Sequence, residues 1–207
     1  MTPTDSPFPE DPTDPMTAPD AAAWADALTM YERRYSVVAV GPRTHEDWSL
    51  DVLALLRKEV SDPRSWRSLE FYAEGDEEWR ADWLAPFAEP DPFAEPGPGR
   101  RSTLLRIPRA SAARLLVALS TNWLDVTSEP DFEARRPDLE AKADVLLSRF
   151  PEPATEFYAN AGYDMGDAPD FYLPLIGWDP FSEHERDIGL IAVSDTEVGV
   201  FWSFDAT

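Results

Sequence analysis

The chain has 207 residues, more than one average domain of about 100–150 residues, and 43% of them are apolar, so one core with additions is the expected organisation. Forty acidic against eighteen basic residues give a net charge of −22, which repels phosphate backbones and anionic lipid surfaces and disfavours nucleic-acid or membrane-surface partners. The absence of cysteine excludes disulfides, thiolate nucleophiles and Cys-ligated metal, and fits a reducing cytoplasm.

Residues 1–19 contain six prolines and four acids with no base, and are expected to form a disordered tail with neither the basic nor the apolar part of a signal peptide. From Asp20, a good N-cap, Trp24, Ala27, Leu28 and Tyr31 recur on one helical face. The β-branched run 35–40, stopped by Gly41 and Pro42, reads as a strand. Thr44 and Asp47 resemble a capping box, followed by a stripe of Trp48, Val52, Leu55, Leu56 and Val60, which predicts a helix over 44–60 ended by Asp62-Pro63. A further strand is expected over 66–73 and a short helix over 76–83.

The segment 86–99 holds five prolines and two glycines without periodicity, and must be an irregular loop. A compact strand over 102–107 leads through Pro108 into a helix whose Ala112, Leu115, Leu116, Leu119 and Trp123 share a face. Pro137 opens another, with Leu139, Ala143, Leu146, Leu147 and Phe150 in its stripe. Residues 171–176 read as an edge strand interrupted by Pro174. The runs 188–193 and 198–204 flank a four-residue loop, which predicts a C-terminal β-hairpin with Val200, Trp202 and Phe204 on one side. Together these give an α+β fold over 20–207: a mainly antiparallel sheet of about five to six strands, with about four helices packed mostly on one face. A small mixed sheet with one parallel pair around the 44–60 helix is the alternative.

No run approaches the roughly 18 apolar residues of a spanning helix. There is no phosphate-binding glycine loop, no nucleophile elbow and no His-Glu-x-x-His, so no cofactor and no metal are expected. The two histidines, His45 and His184, are too far apart in sequence to make a metal motif. Sixteen arginines against two lysines, with abundant Ala, Pro and Asp, suggest a GC-rich bacterial genome.

The most lopsided stretch is 150–207, with twelve acids and one base, Arg186. Asp164, Asp167 and Asp170 fall three apart, Asp179, Glu183, Glu185 and Asp187 follow, and Trp178 and Phe181 interleave with them. Dense acid with aromatic anchors suits an interface for a basic protein. The expectation is a non-enzymatic binding protein, of the immunity or inhibitor kind, facing a basic partner such as a nuclease or toxin. Two alternatives stand beside it: a small carbohydrate-directed hydrolase using paired carboxylates near 164–187, and an accessory subunit without an active site.

Overall fold

In a computed structural model, residues 20–32, 35–69, 104–174, 177–179 and 186–205 are described. The 1–19 tail, the 76–83 helix, the 86–99 loop and residues 70–73 of the strand expected over 66–73 lie outside them. The described residues form an α+β fold around a five-stranded sheet of order β1-β5-β4-β3-β2. Its strands are β1 (Tyr35–Pro42), β2 (Leu105–Ile107), β3 (Glu156–Ala159), β4 (Arg186–Val193) and β5 (Glu197–Asp205). All four pairings are antiparallel, so the mixed-sheet alternative does not occur among them.

The hairpin β4–β5 is the centre of the sheet. Ile188, Leu190 and Ala192 enter one hydrophobic cluster and the alternate residues Ile191 and Val193 the other, on opposite faces, as a two-residue period demands. Its loop is 194–196, one residue shorter than expected, because Glu197 already pairs with Ser194. Trp202 lies flat over Gly189, where an added β-carbon would sit 1.9 Å from the indole.

Helices α1 (Ala21–Ala27), α3 (Arg109–Ala118) and α4 (Phe132–Ser148) cover one face with a core of Trp24, Leu28, Leu115, Leu116, Leu146, Leu147 and Phe150. Among the described helices, α2 (Trp48–Leu56) covers the other, laying Trp48, Val52, Leu55 and Leu56 on Val198, Val200, Trp202 and Phe204. Asp20 caps α1 by accepting from the Ala23 amide at 2.8 Å.

Several boundaries differ from expectation for local reasons. Asp47, not Thr44, is the N-cap of α2, and the helix stops at Leu56 because Lys58 takes a left-handed φ of 58°. Helix α4 begins at Phe132, so Pro137 lies within it and not at its start. The 171–176 strand is corrected: residues 171–174 form a turn, with the Leu173 amide donating to the Asp170 carbonyl, Phe171 buried in the core and Tyr172 packed against it. The strand that does pair there is β3, which periodicity did not reveal. Of the expected 66–73 strand, Leu69 bridges Val38 through a reciprocal pair of amide bonds.

Candidate functional site

Between β3 and β4 the chain leaves the sheet, and its first residue beyond β3 is Asn160, which is fully buried. The Asn160 amide nitrogen donates to the carbonyls of Asp179 and Asp187, each at 2.9 Å, while its oxygen accepts from the Gly189 amide at 2.9 Å. The Asp179 amide returns to the Asn160 carbonyl at 2.8 Å, and the Gly162 amide donates to the Gly177 carbonyl at 3.1 Å. One side chain therefore joins the outgoing and returning arms of the loop to the sheet.

Gly162 then turns the chain with φ 92°, a conformation for which a side chain would be strained, beneath Pro169 and Phe171. A single 3-10 turn, Tyr163–Met165, leaves Tyr163 40% exposed with Asp164 beside it. Asp164 packs close to Gly177, its Oδ2 only 3.1 Å from where a β-carbon would stand. Burial and then the charge of Asp179 push the Tyr163 phenol up to about 12. Tyr163, Asp164 and Asp179 thus share one region.

The descending arm is fastened to α3 and α4. Asp170 accepts from the Tyr172 amide at 3.1 Å and pairs with Arg114 at 2.9 Å. Tyr172 donates to Glu140 at 3.0 Å, meets Phe132 edge-on, and lies under the guanidiniums of Arg114 and Arg136 at 5.5 and 5.0 Å. Burial, reinforced by the bond to Glu140, raises the Tyr172 phenol well above its ordinary range. Leu173, one residue on, is 57% exposed.

The acidic residues singled out by sequence therefore fall into distinct settings. Asp164 and Asp167 are exposed, Asp179 and Trp178 are half-buried, and Asp170 is occupied by Arg114. Asp187 is fully buried in β4, where Asn160 and the Trp202 indole at 3.3 Å face its Oδ1, so it belongs to no exposed face. Phe181, Glu183 and Glu185, like His184, lie outside the described residues. Comparison with family models, curated proteins and solved structures gives no match. The geometry alone carries the functional argument.

Two polar constellations escaped the sequence reading. Asp51, on the first turn of α2 and 2% exposed, accepts from the Thr44 amide and hydroxyl, the His45 amide and His45 Nδ1, the last at 2.6 Å. The spacing of six residues matches no motif, and only the turn after β1 brings them together. At the end of α4, Arg149 is buried between the indoles of Trp24 and Trp66, at 5.1 and 5.0 Å, and forks onto both Asp62 and Glu197. Arg64 makes a second fork onto Glu197, balancing two cations against two carboxylates. Both constellations are satisfied internally and bind chain segments to one another. No group of three or more metal-ligating side chains occurs among the described residues, and no helix among them is long and apolar enough to cross a membrane.

Proposed function

We propose that the chain is a non-enzymatic binding protein that presents the β3–β4 loop to a basic protein, in the manner of an immunity or inhibitor protein for a nuclease or toxin. The observation that carries the reading is the grouping of Tyr163, Asp164 and Asp179 on a loop anchored from both arms, with Asp167 exposed on the same loop. Exposed carboxylates steer a cationic partner and accelerate encounter, while half-exposed apolar side chains such as Tyr163 and Leu173 supply contact area once it docks. The described residues of the loop are already held by the Asn160 bonds, and groups held in place before binding lose little conformational entropy on docking. The burial of Asp187 counts against the hydrolase alternative, because its carboxylate is already engaged and unavailable to a substrate.

The test is capture from the source cells, followed by kinetics with the purified captured protein. That protein should be basic, and its association rate should drop as salt rises to about 0.5 M, where the screening length is only a few ångströms. Changing Asp164, Asp167 and Asp179 together to Asn should slow association roughly tenfold at low salt while leaving the fold intact. A purified partner that associates equally fast with both forms would end the proposal, as would recovery of acidic proteins alone.

A further inference from the structure

On the β2–β3 side of the sheet, three chain segments line an open cleft of about 280 Å³. Arg106, Ile107, Pro108 and Arg109 come from β2 and the start of α3; Glu152, Thr155, Glu156 and Phe157 come from the approach to β3 and its first residues. Asp167 reaches in from the β3–β4 loop. The paired residues Ile107 and Phe157, both buried, underlie this end of the sheet, and the remaining lining is dominated by charge.

What distinguishes the cleft is which of its charges are already used. Glu156 is occupied on both oxygens, by Arg106 at 3.0 Å and by the Tyr158 hydroxyl at 2.7 Å. Arg109 donates to the Phe150 carbonyl at 2.8 Å but pairs with no carboxylate among the described residues. Glu152 and Asp167 likewise have no ion pair or hydrogen bond among them. One guanidinium and two carboxylates therefore line the same small space without neutralising one another.

We infer that this cleft binds a small zwitterion of the amino-acid class, with its carboxylate at Arg109 and its ammonium between Glu152 and Asp167. A simple anion would meet those two carboxylates and the negative field of the whole molecule; a simple cation would meet the guanidinium of Arg109, which no carboxylate among the described residues neutralises. A ligand carrying both charges satisfies each wall at once. The volume lies just below the range of drug-sized pockets, which suits a metabolite and not a macromolecular segment. This site stands independently of the protein-docking reading, sharing Asp167 alone with it.

Amide chemical-shift titration of the full chain tests the assignment. The probes are L-alanine, L-arginine, L-glutamate and alanyl-alanine, each alongside its N-acetylated form, which lacks the ammonium, and its C-amidated form, which lacks the carboxylate. At least one free zwitterion should move the amides of Arg109, Thr155 and Asp167 at millimolar concentration, with its acetylated and amidated forms about tenfold weaker or worse. Asp167→Asn, at an exposed position, should weaken the zwitterion several-fold, and Arg109→Gln should weaken it further if that variant keeps a folded spectrum. Absence of shifts with every free probe would overturn the inference. So would capped forms that bind as tightly as the zwitterion, or shifts that survive Asp167→Asn unchanged.

Discussion

At Asp51 a buried charge is stable because every bond it needs is supplied within seven residues. Burial alone would raise its carboxyl above the ordinary 3.8, yet the bonds from His45 and Thr44 outweigh that and hold it lower. A carboxyl depressed on folding stabilises above its unfolded value and loses that contribution as pH falls through its folded value. Asp51→Ala should therefore cost about 2 kcal/mol at neutral pH, since it leaves the Thr44 and His45 amides without their acceptor. The cost should shrink as pH falls below the unfolded carboxyl's ordinary 3.8 and on through the lower folded value. Urea unfolding of both proteins at pH 7 and pH 3 measures it; an equal difference at the two values would show that Asp51 acts through packing and not charge.

Among the elements, the terminal hairpin was legible because apolar alternation over 188–193 and 198–204 has one reading. Asp187 was misplaced because β4 starts at Arg186, which puts Asp187 two residues before Gly189 and on the α2 face, opposite Phe204 and within reach of the Trp202 indole. Once the strand is extended by two residues the burial follows from the same alternation. β3 was invisible for a different reason: Glu156, Phe157, Tyr158 and Ala159 are too few to show a period, and their pairing with β4 is long-range. The apolar 171–176 run looked more like a strand than β3 does, although Phe171 and Tyr172 are loop anchors. The site's acids were visible as composition, but whether each was exposed, paired or buried depended on tertiary contacts.

The same scale explains why Arg149 matters. It joins the end of α4 to Asp62, in the segment after α2, and to Glu197, at the start of β5, using four of its five N–H groups. Burial would lower its affinity for a proton, but the bonds to Asp62 and Glu197 more than compensate and raise it. Arg149→Met should destabilise by about 3–5 kcal/mol, chiefly by stranding Asp62, because Glu197 keeps Arg64. Adding Asp62→Asn should recover part of that loss, and a denaturation double-mutant cycle reads the coupling. Lysine at 149 would keep the charge but lose both forks and the stacking between two indoles, so it should rescue poorly.

For the molecule as a whole, two electrostatic effects compete, and their sizes decide the response to salt. Exposed ion pairs such as Arg67–Glu32 and Lys142–Asp138 each contribute at most about 1 kcal/mol and weaken on screening. Against them stands self-repulsion: even if every base took an acid as partner, 22 acids would be left over. Repulsion acts over many pairs of like charges and is screened over about 10 Å at 0.1 M salt, so it should dominate. Melting temperature should therefore rise between low salt and about 0.5 M sodium chloride; a fall would mean that the ion pairs outweigh the repulsion. The Asp164, Asp167 and Asp179 to Asn variant sharpens the point, since two of those carboxylates are exposed and the third raises the phenol of Tyr163. It should melt higher than the parent at low salt and no differently at high salt, because these carboxylates add to the repulsion within the free molecule.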